Sequence, residues 1–149
     1  MEANDLKKKI YDFNGLVVEI GGPTINGYEF LKDLNIDLPR KIIVTNIKNP
    51  ITINPFGDNP KEYKVDMVAD INNLPFDDNS IDIIMASSLP HKLHEQLFRE
   101  SKRVLKSNGL VIAENIKNID IKYAKENGFQ VSKLHNQQYS IFNGIFIKN

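Results

Sequence analysis

Leu16-Val17-Val18-Glu19-Ile20-Gly21-Gly22-Pro23-Thr24 is the stretch from which the rest of the chain can be read. A run that is apolar apart from Glu19 and stops abruptly at two glycines is the pattern of a strand buried on both faces of a parallel sheet. Glycines directly after such a strand permit a positive-φ turn and a close approach of backbone to a neighbour. Downstream, Asn26 and Glu29 have capping-box spacing, and Tyr28, Leu31 and Leu34 recur at helical intervals, so a helix is expected to run to Asn35. Lys41 to Ile47 is rich in β-branched residues and bounded by Pro39 and Pro50, which reads as a second strand and completes a βαβ unit.

Residues 48 to 64 hold Pro50, Pro55, Gly57 and Pro60 among asparagines, so the usual crossover helix is expected to be shortened or missing there. Val65–Ala69 and Ile81–Ala86 read as strands on either side of a loop centred on residues 74 to 79. From Pro90 to Lys106, Leu93, Leu97, Phe98, Val104 and Leu105 trace one helical face, and Asn108-Gly109 reads as its stop. Leu110–Ala113 reads as a strand and Asp120–Asn127 as a helix stopped by Gly128. Phe129–Leu134 and Tyr139–Ile147 read as a terminal strand pair. The alternation predicts an α/β fold with a mostly parallel sheet, helices on both faces and a C-terminal antiparallel hairpin strand, in a single domain spanning residues 1 to 149.

Composition narrows the function classes. Hydrophobic residues at 41% and charged residues at 26% are those of a globular chain, not of a disordered or membrane-embedded one. Lys plus Arg equals Asp plus Glu at 19 each, so no overall field attracts nucleic acid or anionic lipid. The absence of cysteine excludes disulfides, thiolate metal sites and a cysteine nucleophile. The polar, lysine-rich start from Met1 to Lys9 lacks a following apolar stretch, so a cytoplasmic location is expected. Lys7-Lys8-Lys9 reads as a solvated helix face, and Arg103 with Lys106 as complements to a helix C-terminus.

In an open α/β sheet, ligands gather at the carboxyl ends of the strands. Glu19, Gly21 and Gly22 follow the first strand, Asn46 closes the second, and Asp70 and Ile71 follow the third. Ser87 lies just after the fourth strand, and Glu114-Asn115 ends the fifth. Pro23 and Asn26 occupy the second and third glycine places of the dinucleotide fingerprint, which disfavours a nicotinamide cofactor. His91 and His94 lack the H-E-x-x-H arrangement, so no metal is expected and they read as a solvated helix start. His91 remains the candidate general base, because imidazole titrates near neutrality.

Val18 to Thr24 resembles motif I of the class I, Rossmann-like S-adenosylmethionine-dependent methyltransferases, in a Gly-Gly-Pro variant. Val68-Ala69-Asp70, Leu74-Pro75-Phe76, Ser80-Ile81-Asp82, Glu100 and Arg103-Val104-Leu105-Lys106-Ser107-Asn108-Gly109 are similar to a second, longer run of that family. The resemblance covers roughly residues 15 to 115 and implies S-adenosylmethionine as cofactor. It implies that Glu19 holds the methionine ammonium, that Gly21 and Gly22 let the cofactor pass, and that Asp70 accepts from the adenine amino group with Ile71 beside the ring. Ser87 would lie near the methionine moiety. Asn46 stands where the family usually carries an acid for the ribose hydroxyls, and Pro23 replaces the second motif glycine.

The expected activity is methyl transfer to an acceptor that the sequence does not identify, with a small molecule expected ahead of nucleic acid and no membrane partner. The chain has no room for a large cap, so a homodimer or a partner subunit is an expected source of further acceptor contacts. A non-catalytic interaction or regulatory subunit on the same fold is the alternative.

Overall fold

The computed structural model describes residues 3–11, 15–37, 41–53, 60–136 and 138–149. A helix α1 (Ala3–Tyr11) precedes β1 (Val17–Ile20), and a short α2 (Phe30–Asp33) leads to β2 (Ile43–Asn46). An antiparallel pair, β3 (Ile51–Ile53) and β4 (Lys61–Tyr63), stands before β5 (Met67–Val68) and β6 (Ile81–Ala86). A 3-10 turn (His91–Leu93) opens α3 (His94–Val104). Then come β7 (Leu105–Ile116), α4 (Asn118–Glu126), β8 (Phe129–Asn136) and β9 (Phe142–Lys148).

Seven strands form one sheet in the order β5-β2-β1-β6-β7-β9-β8. The first five run parallel, and β9 alone runs against its neighbours β7 and β8. Strand order reverses beside β1, so the crevice for a ligand is expected above the carboxyl ends of β1 and β6. Both strands are buried along their full length, as runs that are apolar apart from Glu19 and Asp82 must be between two helical layers. Alternate residues feed opposite layers. Val18, Ile84 and Val111 pack with Leu97 and Phe98 of α3 and Ala124 of α4, whereas Val17, Ile83 and Ile112 pack with Leu6 and Ile10 of α1 and with Phe30 and Leu31. Phe98 meets Phe129 and Phe146 edge-on, with ring centroids 5.6 and 5.0 Å away.

Several expectations need correction. The helix after β1 does not start at Asn26, because Asn26 and Tyr28 adopt left-handed backbone angles (φ 56° and 61°). Its N-cap is Glu29, without a side-chain cap bond. Among the described residues, no helix connects β2 to β5; the described part of that segment is the β3–β4 pair, while Pro39, Pro55 and Gly57 lie outside the described residues. Asn108-Gly109 does not stop a helix. α3 ends at Val104 and β7 begins at Leu105, with Asn108 at φ 63° inside an outward excursion that shifts the β6–β7 register. Tyr139 and Ser140, both at positive φ, delay the last strand to Phe142, and β8 carries a register break between Val131 and Lys133. Gly128, at φ 83°, ends α4 as expected.

Arg103 also has a different role from the one its position suggests. Its guanidinium donates to the carbonyls of Leu74 and Phe76 (both 2.9 Å), to Asp78 (3.0 Å) and to Glu100 (2.9 Å), and Glu100 in turn accepts the Leu74 N–H at 2.8 Å. The planar fork of arginine suits this task because it presents several donors at fixed angles. The pair clamps the loop between β5 and β6 onto α3 at Leu74, Phe76 and Asp78. Hydrogen bonding from Arg103 outweighs burial and holds the Glu100 carboxyl below its ordinary range. Among the described residues, no helix is long and apolar enough to cross a membrane.

Candidate functional site

Glu19, the penultimate residue of β1, has its carboxylate buried (4% exposed), and Glu114 near the end of β7 is nearly as enclosed (8%). Buried carboxylates need donors. Here the donors come from the segment after the glycine turn. Thr24 gives Glu19 its hydroxyl at 2.7 Å and its N–H at 3.2 Å, and the Tyr28 hydroxyl donates to the same carboxylate. Glu114 accepts the Tyr28 N–H and the Ser87 hydroxyl, each at 2.6 Å on one oxygen. Burial, followed by the Glu19 charge, pushes the Tyr28 phenol well above its ordinary pKa, so it stays a donor.

The turn itself requires its glycines. Gly21 has φ 74°, where a side chain would be strained. At Gly27 a Cβ would lie 2.1 Å from Thr24 Cγ2, 3.0 Å from Glu114 Oε1 and 3.1 Å from Ser87 Oγ, so the segment settles onto the strand ends only without a side chain.

The remaining expected residues distribute around this centre. Asn46 donates from Nδ2 to the Gly22 carbonyl and accepts the Ile47 N–H, both at 2.7 Å, which ties the end of β2 to the glycine turn. Gly22 N–H donates to the Thr45 carbonyl at 3.0 Å. Asp70 is exposed and accepts both the N–H (2.9 Å) and the side-chain amide (3.0 Å) of Asn72, a turn-capping role. Ile71 is buried in the core. Ser87 joins the centre through Glu114, and its carbonyl accepts from Asn115 at 2.9 Å. The structure thus brings Glu19, Gly21, Gly22, Asn46 and Ser87 together and leaves Asp70 on a neighbouring loop.

His91 and His94 do not form a solvated helix start. His94 is 1% exposed, and its Nδ1 lies 2.9 Å from Asp120 Oδ2; His91 is exposed, with Nδ1 at 3.9 Å from the same oxygen. Asp120 also accepts the Lys117 N–H at 2.7 Å, across the first turn of α4. Burial raises the Asp120 pKa, but the His94 and Lys117 bonds and the nearby imidazoles outweigh it, so the net direction is down.

Thr24, Tyr28 and Asp120 are not among the site residues that sequence reasoning singles out, and Glu114 is singled out only as the end of the fifth strand, with no role assigned. Glu114 carries the same signal as Glu19, a lone carboxylate closing an apolar run. A cleft of about 360 Å³ beside Leu16, Lys41, Ser80 and Lys106 opens at the opposite, amino end of the strands.

Residues 44–113, just under half of the chain, match the model of the family described as "Methyltransferase domain". No curated protein matches the chain in sequence. Three solved structures share its fold. An S-adenosylmethionine dependent methyltransferase from Mesorhizobium loti is 10% identical with a TM-score of 0.60, over 98% of this chain and 95% of that one. A SAM dependent methyltransferase from Aquifex aeolicus is 17% identical with a TM-score of 0.56, over 98% and 88%. A chain from a Haloferax volcanii complex between a methyltransferase activator and a methyltransferase is 12% identical with a TM-score of 0.59, over 95% and 87%.

Proposed function

We propose that this chain transfers the methyl group of S-adenosylmethionine to a small-molecule acceptor above the carboxyl ends of β1, β6 and β7. The observation that carries the reading is the methyltransferase-domain match over residues 44–113, which contains Asn46, Asp70 and Ser87 at the carboxyl ends of β2, β5 and β6. The donor set fits such a cofactor. Two buried carboxylates, Glu19 and Glu114, are acceptors of the kind an ammonium requires, and Gly21 leaves the turn without a side chain.

The bound cofactor would supply a methyl group already activated by its sulfonium sulfur, so the protein's part is alignment and exclusion of water. In this reading Glu19 holds the ammonium, Asp70 accepts from the adenine amino group, Asn46 meets the ribose, and Ser87 lines the methionine side. Ile71 stays behind Asp70 as packing. His91, exposed on the turn after β6, takes the acceptor's proton where the acceptor carries one.

A second reading, a non-catalytic subunit on the same fold, is motivated by one observation. Glu19 and Glu114 are already occupied by Thr24, Tyr28 and Ser87. The two readings separate in a calorimetric titration with S-adenosylmethionine and S-adenosylhomocysteine, repeated with Asp70→Ala. Micromolar binding weakened by the substitution supports the transferase. Absence of binding to the folded protein supports the interaction subunit.

A further inference from the structure

We infer that His91, His94 and Asp120 form a binding site for one divalent cation of the zinc class, independent of the cofactor reading but exclusive of the general-base role of His91, whose Nδ1 would be a ligand. Their ligand atoms all lie within 4.8 Å of one another, drawn from the 3-10 turn after β6, the start of α3 and the first turn of α4. Zinc bonds to nitrogen and oxygen near 2.0–2.1 Å place tetrahedral ligand atoms about 3.3 Å apart. The separation from Asp120 Oδ2 is 2.9 Å for His94 Nδ1 and 3.9 Å for His91 Nδ1, so the two distances bracket that value and each needs less than about 1 Å of movement. The two imidazoles stand edge-to-face at 87° with centroids 5.2 Å apart, which lets both Nδ1 atoms face one carboxylate oxygen without a clash of rings.

A purely structural hydrogen bond explains only part of this. His94 and the Lys117 N–H account for Asp120 Oδ2 as a helix-capping acceptor. They do not involve His91, which faces the same oxygen at 3.9 Å, too far for a hydrogen bond, and is held there only by charge and by edge-on packing against His94. A cation between the three atoms gives that geometry a purpose. His94 and Asp120, 1% and 2% exposed in their side chains, supply the fixed half of the site, and His91, 43% exposed, supplies the adjustable half and the entry route. Two imidazoles and one carboxylate suit zinc or cobalt over magnesium or calcium, which prefer all-oxygen shells. Three protein ligands leave a fourth position for water or a substrate oxygen on the side of His91.

The test is a titration of the untagged, full chain with Zn²⁺ against a chromogenic chelator, and with Co²⁺ followed by its visible ligand-field bands. The expected result is one equivalent bound with a tetrahedral Co²⁺ spectrum. His91→Ala, an exposed change that spares the buried pair, should weaken binding by more than roughly tenfold, the loss that even outer-shell changes bring to metal sites. His135→Ala, at the third histidine of the chain, should leave it unchanged. The proposal is overturned if the folded wild type binds neither metal, if the Co²⁺ spectrum is octahedral, or if His91→Ala binds as tightly as wild type.

Discussion

The backbone N–H of Tyr28 donates to Glu114 Oε1 at 2.6 Å, joining residues 86 positions apart, while the side chain of the same tyrosine reaches back to Glu19. One residue therefore bridges the carboxyl ends of β1 and β7, across the place proposed above for the methionine moiety.

Tyr28→Phe should loosen that bridge from the Glu19 side alone. The ring still packs, but the buried carboxylate loses a donor, at a cost of about 1–3 kcal/mol. A urea melt should show the loss of stability. If residues 23–28 must swing aside for the cofactor, S-adenosylhomocysteine should bind more tightly to the variant, because its ammonium no longer competes with the phenol for Glu19. Weaker binding to the folded variant would show instead that the tyrosine helps hold the ligand.

Gly27→Ala attacks the same segment by volume. The added methyl falls within 2.1 Å of Thr24 Cγ2 and close to Glu114 and Ser87. The segment must shift, and overpacking of this kind costs about 1–3 kcal/mol. Faster hydrogen exchange at the Tyr28 amide is the specific signature, since a general loss of stability would speed exchange throughout the sheet.

Removing the Arg103 clamp should be more costly. Arg103→Ala leaves the Leu74 and Phe76 carbonyls without their side-chain donor and the Glu100 carboxylate with the Leu74 N–H alone, a loss of about 3 kcal/mol. The pH dependence comes from the depressed Glu100 pKa. The stabilisation is fully present above the ordinary carboxylate range and is lost as pH falls through the folded-state value. Wild type should therefore lose more stability than Glu100→Gln on acidification below about pH 5, and chemical melts across that range measure the difference.

Phe98→Ala tests the packing that seats α3 on the sheet. The ring is fully buried between Phe129 and Phe146, and its removal should cost about 3–5 kcal/mol. A loss below about 1 kcal/mol would mean that the site collapses around the gap.

The strands were legible where side chains alone decide them: Leu16 to Ile20 and Ile81 to Ala86 can satisfy their apolar runs only inside a sheet. The sheet's mostly parallel order followed from the alternation of elements. Less legible were positions decided by backbone angles. Tyr28 sits at helical spacing from Leu31, yet its positive φ takes it out of any helix and aims its N–H at Glu114. Asn108-Gly109 carries a stop signal, but sheet pairing with β6 and β9 overrides it and leaves only a bend. At the candidate site, Glu19 was visible as a lone charge in an apolar run. The partners that occupy it come from a loop whose course local sequence does not encode. The burial of His94 is equally hidden from local sequence, because it depends on Asp120, 26 residues further on.

The register break in β8 bears on how this molecule behaves at high concentration. β8 is an outer strand of the sheet and spans eight residues, long enough to template pairing with a second chain. The extra residue between Val131 and Lys133 kinks that edge, and exposed Lys133 and half-exposed His135 flank the irregularity. A kinked, lysine-bearing rim offers a poor ladder for strand addition, so the same irregularity that bends the hairpin also guards the molecule against fibrous self-association.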